Sequence, residues 1–243
     1  MKILIFGGTG EARDLANKLV ALGHDVTTSL AGRTRTPNLP AGQLRVGGFG
    51  GVAQLKAFFE QDEFDRVIDA THPYADKMSA QLVPAAQLAG VELFRVNRPE
   101  WKQPEGANWT RVRDANEAMQ QLPENGVPFI SLGHKEMGDI ANWPGNRCVV
   151  RLIEAPAAAL PSNVEVILTR PPYTLESETA LMRERGITHL LTKNSGGDQT
   201  RAKIDAAAHL GLVTYMIARP KLAATREVES VEEAIALIRN GAI

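Results

Sequence analysis

The chain alternates short apolar, β-branched runs with longer helical segments, and this alternation constrains its fold more than any other feature. The first run, Lys2–Phe6, is followed by a Gly-Gly-Thr-Gly turn and a helical segment. The runs are continuously apolar, which is typical of strands buried on both faces of a parallel sheet. The pattern therefore predicts an α/β fold. In the first 98 residues we predict strands over Lys2–Phe6, Asp25–Leu30, Leu44–Val46, Arg66–Ala70 and Val91–Val96, and helices over Glu11–Leu22, Val52–Gln61 and Ala75–Ala89.

The pattern is interrupted once and then restarts. The segment Asn97–Asn108 contains two prolines, a glycine and a tryptophan, a composition typical of a linker. We therefore predict two doubly wound, mostly parallel-sheet Rossmann-like domains, one over residues 1–98 and one over residues 109–243. The second domain is predicted to contain strands over Thr110–Val112, Val127–Leu132, Cys148–Ile153, Val164–Leu168, His189–Thr192 and Val213–Ala218, and helices over Ala115–Leu122, Glu176–Arg185, Thr200–Leu210 and Val231–Arg239.

Composition narrows the classes of function. Lys and Arg number 27 against 28 Asp and Glu, and this balance argues against a surface built for duplex nucleic acid. Cys148 is the single cysteine, so no internal disulfide or Cys-rich zinc site can form, as in proteins of a reducing compartment. The five histidines show no metal-ligand spacing, and no apolar run approaches the ~18 residues that span a bilayer. We expect a cytoplasmic protein with no metal and no membrane or nucleic-acid partner.

A glycine-rich turn joins the first predicted strand to the first predicted helix. In Gly7-Gly8-Thr9-Gly10-Glu11-Ala12-Arg13, glycines would let a ligand approach the backbone, and the helix N-terminus would offer unpaired N–H groups. This is where a dinucleotide pyrophosphate docks in a Rossmann fold, although Arg13 stands where a third glycine is usual. The alternative is a plain tight turn, but its place at the first strand–helix junction favours dinucleotide binding.

The end of the second strand favours NADP over NAD. An NAD site commonly has Asp or Glu there to bind the ribose 2′-hydroxyl. Here the chain reads Thr-Ser-Leu-Ala-Gly-Arg, with Ser29 and Arg33 in place of a carboxylate and Arg35 as a second possible cation. A guanidinium matches the oxygens of a 2′-phosphate, whereas the alternative role of Arg33 is that of a solvated loop residue.

The loop after the fourth strand is expected to lie near the nicotinamide ring. It reads Asp69-Ala70-Thr71-His72-Pro73-Tyr74-Ala75, and loops at the carboxyl ends of strands beside the switch point face the ligand. His72 and Tyr74 could donate a proton. A lone histidine before proline is more often a turn residue. Met78 stands where a Tyr-x-x-x-Lys motif would need lysine, so that acid–base pair is not present.

In the second half, cations follow several strands. Thr192-Lys193-Asn194-Ser195-Gly196-Gly197 resembles an anion cradle, and Lys135, Arg170 and Arg219 follow other strands. The strand ends at one edge of a parallel sheet converge, so these cations would form one positive site for a polyanionic small molecule. Scattered surface Lys and Arg are the alternative interpretation.

These motifs together resemble the precorrin-6A reductase family, the NADPH-dependent reductases of cobalamin biosynthesis, with a related branch acting on cobalt-precorrin-6A. The resemblance spans nearly the whole chain, and the Thr-His-Pro-Tyr-Ala and Thr-Lys-Asn-Ser-Gly-Gly strings are its specific parts. It implies NADPH on the first domain, the macrocycle in the cleft between the domains, and reduction of one macrocycle double bond to give precorrin-6B. His134, before Lys135, departs from many relatives.

The residues expected to act can then be grouped by role. Tyr74 and His72 are the candidate catalytic residues. The candidate cofactor-binding residues are Gly8, Thr9, Gly10, Glu11, Ala12, Ser29, Arg33, Thr71, His72, Pro73 and Tyr74. The candidate substrate-binding residues are Lys135, Arg170, Lys193, Asn194, Ser195, Gly196, Gly197, Arg201 and Arg219.

Two other functions stay open at this point. One is a non-catalytic NADP-binding sensor or tetrapyrrole carrier, and the other is a dihydrodipicolinate-reductase-like reductase of another small anion. We expect a monomer or weak homo-oligomer, and the sequence does not decide whether the substrate carries cobalt.

Overall fold

The computed structural model describes residues 1–32, 38–141, 143 and 145–241. Contacts divide the chain into two compact units, which are described separately. The first unit consists of Met1–Pro99 together with Pro220–Ile243, and the second consists of Glu100–Arg219. The described residues form one six-stranded sheet in each unit. Every pairing in both sheets is parallel, which confirms the predicted α/β class.

The sheet of the first unit has the strand order of a Rossmann fold. Its strands are β1 (Lys2–Phe6), β2 (Asp25–Leu30), β3 (Gln43–Val46), β4 (Arg66–Asp69), β5 (Glu92–Val96) and β12 (Arg226–Val228). They lie in the order β12-β5-β4-β1-β2-β3, so the chain reverses direction across the sheet between β1 and β4. Dinucleotides bind at such a switch point, outside the carboxyl ends of the strands.

Helices cover both faces of this sheet. They are α1 (Gly10–Ala21), α2 (Val52–Gln61), α3 (Asp76–Ala89) and α8 (Val231–Arg239). Successive side chains of β1 point to opposite faces. Ile3 and Ile5 join the apolar cluster that holds α1 and α8, and Leu4 and Phe6 join the cluster that holds α2 and α3. The central strand is buried on both sides, as its continuous apolar sequence predicted.

The second unit repeats the doubly wound plan with a different strand order. Its strands are β6 (Asn108–Val112), β7 (Pro128–Ser131), β8 (Cys148–Leu152), β9 (Val164–Leu168), β10 (His189–Lys193) and β11 (Val213–Ile217). They lie in the order β6-β11-β10-β7-β8-β9, which places the switch point between β7 and β10. Its helices are α4 (Ala115–Gln121), α5 (Met137–Ile140), α6 (Leu175–Glu184) and α7 (Ala202–His209), and a 3-10 turn spans His134–Glu136.

The division of the chain differs from the expected boundaries of 1–98 and 109–243. After the second unit the chain returns to the first, where β12 pairs with β5 and α8 packs against α1. The reason is burial: Val231, Ala234 and Ile238 complete the apolar cluster around α1 and β1. The helix over Val231–Arg239 is present as predicted, but it belongs to the first unit, and β12 was not predicted.

Candidate active site

A small open depression lies at the switch point of the first unit. It contains about 200 Å³ of empty space outside the ends of β1, β4 and β5. The residues that line it are Thr9, Glu11, Ala70, Thr71, Pro73, Val96 and Arg98. Four of these, Thr9, Glu11, Thr71 and Pro73, are among the residues that the sequence predicted to bind a cofactor. The predicted glycine turn and the predicted Thr-His-Pro-Tyr loop therefore meet at one place.

Thr9 ties the glycine turn to both its helix and the neighbouring loop. Its Oγ1 accepts a hydrogen bond from Ala12 N at 3.1 Å, which caps α1, and donates one to Ala70 O at 3.0 Å. Gly8 has a φ of 116°, which a side chain would strain, and no described atom lies within 4 Å of where its Cβ would stand. The backbone at Gly8 is therefore open to a ligand beside the positive end of a 12-residue helix. These residues fit a dinucleotide pyrophosphate.

An ion pair lies at the edge of this turn. Arg98 Nη1 donates to Glu11 Oε2 at 2.5 Å, and both residues line the depression. Sequence reasoning missed Arg98 because it falls in the proline-containing segment that looked like a linker. The signal that could have found it is its place two residues after β5, whose end lies beside β4 at the ligand edge. The pair leaves this edge of the depression close to neutral.

The end of β2 is organised by an arginine that the sequence did not single out. Ser29 is buried, its carbonyl accepts from Gly7 N at 3.0 Å, and its Oγ lies 3.4 Å from Arg45 Nη1. Arg45 donates to the carbonyls of Gly47 and Gly48 and stacks 3.5 Å above the ring of Phe49. Burial lowers the pKa of Arg45 from its ordinary value.

The predicted 2′-phosphate partner Arg33, like Arg35, lies outside the described residues. The structure therefore shows the contacts of Ser29 at the end of β2, whereas the role of Arg33 stays a prediction.

The loop after β4 has a defined hydrogen-bond pattern. Thr71 donates to Asp69 Oδ1 from both its backbone N (3.2 Å) and its Oγ1 (2.6 Å). Tyr74 N donates to His72 Nδ1 at 3.3 Å, and the two rings lie 5.7 Å apart. In a neutral imidazole, an Nδ1 that accepts leaves the proton on Nε2. The arrangement therefore gives the loop two side-chain hydrogen-bond donors, the Nε2–H of His72 and the hydroxyl of Tyr74.

The switch point of the second unit is occupied by Lys193. This residue ends β10, is 8% exposed, and donates from Nζ to Leu132 O at 2.9 Å. Its ammonium also forms an ion pair with Glu136 Oε1 at 2.6 Å. The second oxygen, Oε2, of Glu136 is buried and has no hydrogen-bond partner among the described residues. Lys193 is therefore at the predicted strand end, and its charge is balanced by a carboxylate that the sequence analysis missed.

The Asn-Ser-Gly-Gly loop is held by internal contacts. Arg219 donates to Asn194 O at 2.8 Å and to Ser195 O at 3.2 Å. The side chain of Asn194 accepts from Trp101 N at 2.8 Å, and Gly197 O accepts from Trp101 Nε1 at 2.8 Å. Gly196 and Gly197 both have positive φ values, 67° and 75°. Asn194, which follows β10, and Arg219, which follows β11, thus hold the Asn-Ser-Gly-Gly loop in place.

The remaining predicted substrate-binding cations are less centrally placed. Lys135 is exposed in the 3-10 turn after β7. Arg201 pairs with Asp205 one helical turn away. Arg170 follows the edge strand β9, two strands away from β7, and pairs with Glu154 at 3.1 Å. The structure brings Lys135, Lys193 and Arg219 to the ends of three neighbouring strands, and it does not bring Arg170 beside them.

The described residues contain neither a metal-ligand cluster nor a helix that could span a membrane. No group of three or more His, Cys, Asp and Glu side chains in that part of the chain is arranged to hold a metal ion. Among the helices there, none combines the length and the apolar character that crossing a bilayer needs.

The fold and the first depression define a class: a two-unit, Rossmann-type α/β protein with a site suited to a dinucleotide. Comparison with known proteins adds the family. Residues 2–239 match the family model described as "Precorrin-6x reductase CbiJ/CobK", and the chain belongs to this family of oxidoreductases. The resemblance noted in the sequence is thereby confirmed.

Individual relatives match over nearly their whole lengths. A "Precorrin-6A reductase" of Rhodococcus erythropolis is 42% identical over 98% of this chain and 97% of its own length. A "Cobalt-precorrin-6A reductase" of Priestia megaterium is 28% identical over 98% of both chains. The solved structure of a "CobK precorrin-6A reductase" superposes with a TM-score of 0.93 at 34% identity, covering 99% of this chain and 97% of that one.

Proposed function

We propose that the chain reduces precorrin-6A to precorrin-6B in cobalamin biosynthesis, with NADPH as the hydride source. The observation that carries this proposal is the depression at the β1–β4 switch point, where the Gly8–Ala12 turn meets the loop of Thr71, His72 and Tyr74. NADPH, when bound, supplies a hydride to one carbon of a macrocycle double bond. The neighbouring atom of that bond takes a proton, so NADPH, H⁺ and precorrin-6A give NADP⁺ and precorrin-6B.

The first unit's residues would hold and orient the cofactor. Gly8, Thr9, Gly10, Glu11 and Ala12 form the turn and the first residues of α1, and the backbone N–H groups of this helix N-terminus that the Thr9 cap leaves unused would face the pyrophosphate. Ser29 and Arg33 would face the adenosine ribose and its 2′-phosphate. Thr71 and Pro73 line the depression that would take the nicotinamide end. His72 and Tyr74, on the same loop, are the candidate donors of the proton.

The second unit's residues would hold the substrate. Precorrin-6A carries acetate and propionate carboxylates, for which ammonium, guanidinium and backbone N–H groups are suitable donors. Lys193 would share its ammonium between a substrate carboxylate and Glu136, and Lys135 and Arg219 would contribute from neighbouring strand ends. Asn194, Ser195, Gly196, Gly197, Arg201 and Arg170 are the other candidate contacts.

The cobalt-free substrate is favoured over the cobalt-bearing one. The relative named for precorrin-6A is 42% identical to this chain, whereas the relative named for cobalt-precorrin-6A is 28% identical. We propose a cytoplasmic location, because the single cysteine is buried and unpaired, as suits a reducing compartment. We also propose that the chain is a monomer or a weak homo-oligomer.

The experiment mixes the purified full chain with NADPH and precorrin-6A and follows the loss of NADPH absorbance and the mass of the product. We expect stoichiometric consumption of NADPH and a product heavier by two hydrogen atoms. Parallel reactions contain NADH, or cobalt-precorrin-6A, and we expect both to be slower. Binding of both ligands without consumption would indicate a carrier or sensor and would overturn the proposal.

A further inference from the structure

A buried carboxylate, Asp69, organises the loop that carries His72 and Tyr74. Asp69 ends β4 and is 1% exposed. Its Oδ1 accepts the two hydrogen bonds from Thr71, and its Oδ2 accepts from Ser79 Oγ at 2.7 Å and from Arg95 Nε at 3.0 Å. Four donors on one carboxylate fix both of its oxygens. The position of Thr71 is therefore set by Asp69.

Asp69 is the first member of a row of charges that crosses three strands. The register of the sheet places Asp69 beside Arg95 on β5, and Arg95 beside Glu227 on β12. Arg95 is 3% exposed, and its Nη1 donates to Glu227 Oε1 at 2.7 Å. Both of its terminal nitrogens also donate to Ala223 O at 3.2 Å. The row ends at Glu227, whose side chain is 41% exposed.

Glu227, at the exposed end of this row, lies in the segment Pro220–Ile243, which follows the second unit in the chain and belongs to the first unit. Glu227 and Ala223 come more than 120 residues after Arg95, yet they hold its guanidinium against Asp69. Buried ion pairs often add little net stability, because desolvation of the charges offsets their attraction. A row of this kind is better suited to fixing the orientation of what it touches. What it touches is the first residue of the Thr71–Tyr74 loop.

We propose that Asp69 is a positioning residue of the reductase, and that Glu227 acts on the loop through Arg95. The proposal rests on the proposed function, in that the loop is taken to deliver the proton next to the nicotinamide. The Gly8–Ala12 turn would still hold the pyrophosphate when the loop is displaced, so cofactor affinity should fall by less than turnover does. None of Asp69, Arg95 and Glu227 lines the depression.

Glu227→Gln is the central variant, because it keeps the size of a part-exposed side chain and removes its charge. Glu232→Gln is its matched control: Glu232 lies on α8 in the same unit, is 73% exposed and pairs only at the surface, with Lys18. We expect Glu227→Gln to lower kcat about 10-fold and to raise the Kd for NADPH by a smaller factor, because small misplacements of reacting groups are costly. We expect Glu232→Gln to match wild type in both.

Two further variants test whether the members act as one row. Asp69→Asn removes the charge that holds Arg95 and should lower kcat by up to about 100-fold. In the double variant the losses should be smaller than the product of the two single losses, because both act through Arg95. In D₂O, the solvent isotope effect on kcat should rise in both single variants, because the row is proposed to act on proton delivery, and a loss of folded protein alone would not cause this rise.

Hydrogen exchange provides a readout that does not depend on turnover. In the full chain, residues 70–75 should exchange faster in Glu227→Gln than in wild type or Glu232→Gln. If Glu227→Gln keeps the wild-type kcat, isotope effect and exchange of residues 70–75, the positioning role is wrong. If wild type consumes no NADPH with precorrin-6A, the proposed function is wrong, and the exchange of residues 70–75 alone then decides whether the row holds the loop. If Asp69→Asn does not fold, Glu227→Gln decides.

Discussion

The two units have the same doubly wound plan but different switch points. In the first unit the space outside β1 and β4 is an open depression whose wall includes the glycine turn and a neutral loop. In the second unit the side chain of Lys193 crosses from β10 to the end of β7, where Leu132 O and Glu136 hold its ammonium. One site has open space beside a helix N-terminus, and the other has a buried ammonium paired with a carboxylate.

The helices that follow the two central strands explain this difference. In the first unit α1 begins at Gly10, directly after the turn and with its cap supplied by Thr9, so its positive end faces the depression. In the second unit α7 begins at Ala202, nine residues after Lys193, and is only 8 residues long. The first site thus has a helix N-terminus, and the second has side-chain cations. This difference supports the proposal that the cofactor binds to the first unit and the anionic substrate to the second.

The largest effect is expected at the loop of the first unit. A general acid contributes about 10²–10⁴-fold, so the variant that removes the proton donor should lower kcat by that factor. Tyr74→Phe and His72→Gln separate the hydroxyl of Tyr74 from the Nε2–H of His72. The measurement is kcat, with the Kd for precorrin-6A as the control that should stay unchanged.

These two variants can also contradict the proposal that the loop of His72 and Tyr74 donates the proton. A loss below about tenfold in one of them gives that residue an orienting role and leaves the other as the donor. Wild-type turnover in both would show that this loop carries no proton, and a bound water would then be the donor.

The next largest effect is expected at Lys193. Lys193→Met removes a buried ammonium and leaves Glu136 without its partner, so the free energy of unfolding of the second unit should fall by on the order of 3 kcal/mol. Precorrin-6A should bind about 10- to 150-fold more weakly, the equivalent of a charge-assisted hydrogen bond of about 1.5–3 kcal/mol. The Kd for NADPH should not change. Urea unfolding and ligand titration measure these quantities.

A double variant separates the two consequences of losing Lys193. Lys193→Met with Glu136→Gln removes both charges, and we expect stability to recover while precorrin-6A still binds weakly. The reactivity of Cys148 measures the opening of the second unit alone. Cys148 is fully buried, and burial raises the pKa of its thiol to about 12, so it should resist thiol reagents until that unit opens. Lost NADPH binding with intact precorrin-6A binding would reverse the assignment of ligands to units.

An effect of the same size on ligand binding, but without a loss of stability, is expected at the end of β2, where NADPH would be distinguished from NADH. Arg33→Ala should weaken NADPH about 10- to 150-fold, the value of an Arg–phosphate contact of about 1.5–3 kcal/mol, and leave NADH nearly unchanged. Adding Ser29→Asp should narrow or reverse the preference for NADPH over NADH, because the new carboxylate would repel the 2′-phosphate. The Kd values of both cofactors measure this. Equal weakening of NADPH and NADH would mean that Arg33 holds the pyrophosphate or the loop instead.

The sequence predicted the parts of this molecule that are encoded locally. The continuous apolar run of Lys2–Phe6 and the glycines after it were sufficient to predict β1 and the glycine turn before α1. It could not predict β12, because Arg226–Val228 is three residues long and its partner β5 lies some 130 residues earlier. Lys193 was found from its place after a strand. Glu136 was not, because the ion pair joins a 3-10 turn to a strand more than 50 residues away.

The smallest effect is expected in the acid sensitivity of the two units, each of which has a histidine whose pKa is lowered mainly by burial. These are His24 in the first unit, where the N-terminal charge also contributes, and His189 in the second. A folded-state pKa below the ordinary value of 6.5 means that the unfolded state binds more protons near that pH. Stability is therefore complete above pH 6.5 and falls as the pH drops from there towards the folded-state pKa.

His189→Gln isolates the contribution of the second unit. The ring of His189 stacks on Tyr215, and its Nδ1 lies 2.7 Å from Thr188 Oγ1, so glutamine removes the titration while keeping a polar side chain at the same place. We expect the variant to lose less stability than wild type when urea unfolding is compared at about pH 7.5 and about pH 5.5. His24→Gln serves as the matched variant in the first unit. Because Cys148 should react only when the second unit opens, the rates of thiol labelling at about pH 5.5 and about pH 7.5, each compared with the rate for the unfolded chain at the same pH, show whether this unit opens more readily in acid. An unchanged dependence on pH in His189→Gln would show that this histidine does not set the acid sensitivity of its unit.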